Sequence, residues 1–202
     1  MKNFLIYFTW IFILSAMLLT SGCDSGESRP EAADSIYSVE YLNSISIDNP
    51  HRMLALLDSA EQKKLLNRFD IARLRCLAYH NGLSDYKNAL RYGLEAYNMP
   101  ESRQDAQIFL SLLEVIADDY YQNGNYEESV RLCTEGLKLA SDSLLRTQEA
   151  NFDVSMAENL WEFGRKDEAY LKLGEAADIL EKEAARSRLY NPADDYVYSL
   201  GV

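Results

Sequence analysis

Residues 120–143 read YYQNGNYEESVRLCTEGLKLASDS, and the stripe they carry recurs forty residues to either side. Tyr126, Ser129, Val130, Cys133 and Gly136 answer Tyr86, Ala89, Leu90, Gly93 and Ala96 upstream, and Lys166, Ala169, Tyr170, Leu173 and Ala176 downstream. Each set is spaced i, i+3, i+4, i+7, i+10, which lines its members along one side of a helix. Two columns, 89/129/169 and 96/136/176, hold only Ala, Ser or Gly. Small side chains in fixed columns let a neighbouring helix approach closely, so a helical unit stacked on copies of itself is expected.

The remaining sequence reads as further helices. Ser35 to Ser46 is expected to form one, followed by the turn IDNP, where Asp48 or Asn49 can cap a helix opened by Pro50. That helix directs Met53, Leu54, Leu56 and Leu57 toward a partner element. The second unit places helices at about 104–122 and 126–140, and the third at about 144–163 and 166–185. No stretch alternates with period two, and Pro and Gly fall mostly in turns, so the fold is expected to be all-α.

The second unit resembles the tetratricopeptide (TPR) family, whose helix–turn–helix of about 34 residues carries an aromatic, a turn glycine, a Tyr opening helix B and small residues along helix B. Tyr120, Gly124, Tyr126, Ser129 and Gly136 fall on those places in order. The third unit supplies Leu160, Gly164, Ala169 and Ala176, with Lys166 where the Tyr belongs. In the first, Tyr79, Tyr86, Ala89 and Ala96 fit when the turn NGLSD holds one extra residue. The resemblance implies a right-handed superhelical solenoid of antiparallel helix pairs: a pair over 34–65, then three units over 66–185. The forty-residue period implies longer helices or longer loops than the family's unit.

The chain begins with Lys2, an apolar run from Phe4 to Leu19, and then LTSGC at 19–23. A charged start, a short apolar core and small residues before a break read as a secretory leader over 1–22. The SGC ending resembles a bacterial lipobox, which implies cleavage before Cys23 and lipid on its thiol; an ordinary leader with an incidental cysteine is the other reading. Several acyl chains anchor stably where one binds only marginally. The polar stretch that follows, 23–33, reads as a flexible tether. Together these features resemble TPR lipoproteins of the kind found in Bacteroidetes-like envelopes, and imply a lipid-anchored protein facing the periplasm or cell surface.

The formal charge is −12, and cleavage after Gly22 removes Lys2, the one charged residue of the leader, giving −13. Such an imbalance argues against nucleic acid as a partner. Besides Cys23, Cys76 and Cys133 sit on separate helices and read as buried free thiols. His51 and His80 lack partners at metal-ligand spacing, and His80 is expected to stack or face solvent. The residues within each of the doublets Asp118/Asp119, Glu127/Glu128 and Asp194/Asp195 point about 100° apart on a helix and are not expected to converge as a general acid/base pair. A binding role without catalysis, metal or cofactor is the expectation.

In the TPR resemblance, helix A residues facing neither helix B nor the next unit line a concave groove. Carried onto this sequence, these are Ser111, Glu114, Val115, Asp118, Tyr121 and Gln122, then Asn151, Val154, Ser155, Glu158, Trp161 and Glu162. Glu114, Asp118, Glu158 and Glu162 beside Tyr121 and Trp161 suit a basic, partly apolar protein segment. The alternative is that both aromatics pack between repeats and the carboxylates solvate the face. The expected function is a lipid-anchored scaffold for protein–protein interaction; the other reading is the N-terminal sensory or regulatory region of a longer membrane signalling or transcription-regulating protein. Val197, Leu200 and Gly201 fall on the large, Leu and small places that open a repeat, so 186–202 is expected to begin a further, truncated unit.

Overall fold

The computed structural model describes residues 36–189, and within them the protein is all-helical. Its α-helices are α1 Val39–Ser44, α2 Pro50–Lys63, α3 Arg68–Leu77, α4 Tyr86–Tyr97, α5 Ala106–Gln122, α6 Tyr126–Asp142, α7 Arg146–Glu162 and α8 Lys166–Leu189. A π-helical turn, Ala78–Gly82, prolongs α3, and a 3-10 turn, Pro100–Arg103, precedes α5. The leader, Cys23, the tether and residues 190–202 of the further unit lie outside the described residues.

Helices α5, α6 and α7 are each 17 residues long and are joined by three-residue turns, so two helices and two turns make the forty-residue period. Long helices rather than long loops therefore set the repeat. Each turn passes through one left-handed residue: Gly124 at φ 75°, Leu144 at φ 58° and Gly164 at φ 73°. The Gly124 N–H donates to Tyr121 O at 2.8 Å and the Asn125 N–H to Tyr120 O at 2.9 Å, and the same pair of bonds recurs at 144/145 and 164/165. These bonds satisfy the last carbonyls of each helix. Glycine meets the positive φ without strain at two turns, while Leu144 meets it with a Cβ.

Caps fix the opposite ends. Asp105 and Asn125 accept from the amides of Ile108 and Glu128 at the starts of α5 and α6. The expected cap on α2 is corrected: Asn49 holds the N-cap position but its side chain makes no capping bond, and Asp48 lies outside it. Pro50, with its fixed φ and no N–H to satisfy, opens that helix unaided. The first helix is also shorter than expected, starting only after Ser38, whose hydroxyl accepts from Tyr41 N–H.

The extra residue of the first unit sits in the π-turn. Where Asn125 N–H reaches back to Tyr120 O, Asp85 N–H reaches one residue further, to Tyr79 O at 2.9 Å. The widened turn absorbs the insertion and lets α4 start in phase with α6 and α8.

Successive helices pack on one another from α3 to α8, and α5 also touches α7 directly. The small columns lie in these contacts: Ala89, Ala96, Ser129, Gly136, Ala169 and Ala176 are all buried. Phe152 of α7, fully buried, fills the space over Gly136. Gly93 plays the same part for Ile116 of α5 and Cys76 of α3. Burying a Phe of this kind contributes about 1.5–3 kcal/mol. Met53 and Leu57 of α2 are buried with Leu42 and Leu74 in a smaller cluster, which Leu54 and Leu56 join partly exposed.

Candidate functional site

The side of α5 turned away from its buried stripe carries Ser111, Glu114, Val115 and Asp118, and α7 runs beside it. These four residues, with Ser155 of α7 and Leu77, His80 and Asn81 at the end of α3, line a cavity of about 380 Å³. Further along, Tyr121 of α5 and Ala157, Glu158 and Trp161 of α7 meet Ala169 and Leu173 of α8 around a hollow of about 180 Å³. All but four of the residues expected to face a partner thus line one hollow or the other, the four being Gln122, Asn151, Val154 and Glu162. Gln122 and Glu162 act at the edges: Gln122 Nε2 donates to Asp118 at 3.2 Å, and Tyr121 OH donates to Glu162 at 3.4 Å. Asn151 Nδ2 donates to Glu114 at 3.4 Å, tying α7 to α5.

His80 is, among the described residues, the one basic side chain that the acidic groups of this groove approach. Among the described residues, Glu114, Asp118, Glu158 and Glu162 pair with no Lys or Arg, whereas Asp58, Glu61, Glu95, Glu128, Glu149, Asp153 and Glu168 all do. Burial raises the Glu114 and Glu158 carboxyls above the ordinary range, and the charge of Asp118 adds to the rise at both. Asp118 therefore lies within electrostatic reach of carboxylates on its own helix and on α7. A cationic group entering the groove relieves that repulsion.

His80 is the residue that sequence reasoning missed. Its ring packs edge-on against Tyr86 with centroids 5.8 Å apart rather than stacking face to face, and it is largely buried. Its Nδ1 lies 2.8 Å from Asp119 Oδ1 and its Nε2 lies 3.6 Å from Asp118 Oδ2. The two carboxylates of this doublet do not face each other; they reach opposite edges of one imidazole, Asp119 at Nδ1 and Asp118 at Nε2. Asp119 is 0% exposed, and burial pushes its carboxyl up to about 6 against the lowering effect of His80. Burial works against the His80 cation, but the Asp119 hydrogen bond and the charges of Asp119, Asp118 and Glu114 outweigh it and raise its pKa. The available signal was the spacing itself, a histidine closing one helix A and an acidic pair closing the next.

The two aromatics pack against their neighbours to different extents. Tyr121 is half-buried against Tyr126, 5.4 Å between centroids, and so packs within its unit. Trp161 meets Tyr170 edge-on at 5.9 Å and carries Lys166 Nζ 4.7 Å over its ring, yet remains 45% exposed beside the hollow. Cys76 and Cys133 are buried free thiols; burial pushes Cys76 strongly up and Cys133 up to about 12, which leaves both unreactive at neutral pH.

Among the described residues, no group of three or more His, Cys, Asp and Glu is placed to hold a metal ion, and no helix is long and apolar enough to cross a membrane. No model of a known protein family matches the chain, and no curated protein sequence matches it.

Proposed function

We propose that the chain is a lipid-anchored adaptor of the bacterial cell envelope. Its helix pairs form a right-handed TPR-like solenoid, and the groove along α3, α5 and α7 holds a basic segment of a protein partner. It binds and presents that partner and catalyses no reaction. The observation that carries the reading is the acid of the groove: Glu114, Asp118 and Glu158 line two neighbouring hollows with no Lys or Arg partner among the described residues, and His80 meets only Asp118 and Asp119. Burial and the charge of Asp118 both disfavour the ionised forms of Glu114 and Glu158, so their placement is not explained by folding stability. Such placement suits a cationic ligand. Trp161 and Leu173 beside Glu158 supply an apolar anchor point for the same ligand.

Reversing Glu114, Asp118, Glu158 and Glu162 to Lys tests the proposal by affinity capture from envelope extract. The variant is expected to retain helicity and lose the captured partner. Capture by the wild type should also weaken between 0.05 and 0.5 M salt, because exposed charges are screened over about 8–10 Å at ordinary ionic strength. A partner retained by the reversed groove at all salt concentrations would place binding elsewhere.

A further inference from the structure

His80 stands in the wall of the larger hollow, and its two nitrogens face different surroundings. Nδ1 lies 2.8 Å from Oδ1 of Asp119, a carboxylate with 0% exposure that does not line the hollow. Nε2 lies 3.6 Å from Oδ2 of Asp118, which lines the hollow together with His80. The ring is held in this orientation. It hangs from the π-turn Ala78–Gly82, Tyr86 of α4 packs edge-on against it, and Asp119 anchors its inner nitrogen. Asp119 accepts the Nδ1 proton and so fixes the tautomer, which leaves Nε2, the edge turned to Asp118, as the place where a proton comes and goes.

The charges around the ring are one-sided. From α5 it meets Glu114, Asp118 and Asp119, and from α4 the phenol of Tyr86. The Cys76 thiol of α3 reaches it only through Asp119, 4.0 Å from Sγ. Helix α2 packs on the same turn, and among the described residues none of its side chains hydrogen-bonds or pairs with the ring. Across the hollow α7 adds Ser155, with Glu158 in electrostatic reach of Asp118.

On the reading of the groove as a holder of basic segments, we propose that the His80 imidazolium is the groove's own cation at Asp118, and that a basic segment binds there by displacing the Nε2 proton to solvent. A guanidinium or ammonium arriving at Asp118 takes over its charge and repels the imidazolium beside it. The Nε2–H bond breaks, the proton passes to buffer, and the neutral ring keeps its Nδ1–H on Asp119. Proton and ligand thus compete, and binding tightens as pH rises through the His80 midpoint, which its acidic neighbours hold above the ordinary imidazole value. Arginine and lysine stay charged across that range, so the change belongs to the groove. Asp119, at about 6, and Glu114 titrate on the acid side and act in the same direction.

The probe is a short acetylated and amidated peptide of arginines with a single tryptophan, titrated into the purified full chain by calorimetry. Runs at about pH 7 in phosphate and in Tris, whose ionisation heats differ, count the protons released. The wild type is expected to release a measurable fraction of a proton per peptide, and its dissociation constant to fall about fivefold or more between about pH 6 and about pH 9. By linkage, saturating peptide should lower the His80 midpoint seen by NMR by the same factor, about 0.7 on the pH scale, while His51, exposed on α2 and outside the hollow, stays in place. His80→Gln, whose amide can still donate to Asp119, should bind without proton release and with affinity flat above about pH 7. Equal proton release by wild type and His80→Gln, release by neither, or an equal move of His51 overturns the proton competition and leaves the basic-segment reading standing. A wild-type His80 midpoint unmoved by saturating peptide does the same without any variant. A wild type that binds no peptide at any pH overturns both.

Discussion

The same substitution, Gly to Ala, is expected to act with opposite sign at two helical positions of this chain. A Cβ added at Gly136 meets the ring of Phe152, with Cε2 at 2.6 Å and two further ring atoms nearer still. Phe152 is fully buried, so the ring cannot swing into solvent and α6 and α7 must separate. Such overpacking falls at the upper end of about 1–3 kcal/mol, offset by the gain of about 1 kcal/mol that Ala brings to a helix interior. The net expectation is a loss of about 2 kcal/mol. At Gly174 in α8 an added Cβ meets nothing within 4 Å, so the helix gain of roughly 0.5–1 kcal/mol stands alone. At about 2–4 °C per kcal/mol for a chain of this size, thermal melts followed by circular dichroism should place Gly136→Ala some 4–8 °C below wild type and Gly174→Ala about 1–4 °C above it. Adding Phe152→Leu should remove most of the penalty of Gly136→Ala, a non-additivity of at least roughly 1 kcal/mol. If Gly136→Ala melts with or above wild type, the close approach of α6 and α7 through the small column is wrong.

Leu144 holds a left-handed turn that glycine holds at 124 and 164, and it is 70% exposed. Leu144→Gly should therefore stabilise by roughly 1 kcal/mol, and chemical denaturation showing a loss would mean that the side chain packs against the helices instead of facing solvent. Both His80 and Asp119 have folded pKa values above their ordinary ones, as do Glu114 and Glu158, so the folded chain binds more protons than the unfolded one. The His80 contribution is complete below its ordinary value of about 6.5 and is lost as pH rises through the raised one, so stability should fall from pH 6 to pH 9. His80→Gln should flatten that upper slope; an unchanged slope removes His80 as its cause. Metabolic labelling with a fatty-acid analogue should mark the wild type and leave Cys23→Ala unmarked, and equal label in the two would dismiss the lipid anchor.

How much of this was legible in the sequence follows from where each feature is encoded. The bounds of α5, α6 and α7 were close to readable because stripe, turn and small column repeat in one frame around Gly124 and Gly164. The burial of Gly136 was foreshadowed by its column, although the identity of its filler, Phe152, was not. Local pattern failed at α1, where an apolar run too short to bury more than Leu42 was read as a longer helix. It failed again at Asn49, because residue type marks a capping position but not the rotamer that makes the bond. The π-turn was detectable only as a surplus residue in NGLSD. The His80–Asp119 contact was hidden for a different reason: it joins α3 to α5 across 39 residues, and the angle between neighbours on one helix says nothing about a ring arriving from another. The groove carboxylates were readable as a face, but their lack of Lys or Arg partners required knowing where every Lys and Arg of the described residues ends up.

The central claim is that the groove selects cationic segments with an apolar anchor, and selection from a random peptide library measures that preference directly, whatever the natural partner is. The purified chain is expected to enrich peptides carrying two or more Lys or Arg beside a large apolar residue. A variant with Glu114, Asp118, Glu158 and Glu162 all changed to Gln, which keeps shape and removes charge, should lose that enrichment. Selection of acidic or uncharged peptides by the wild type, or the same basic peptides emerging from the Gln variant, would contradict the account.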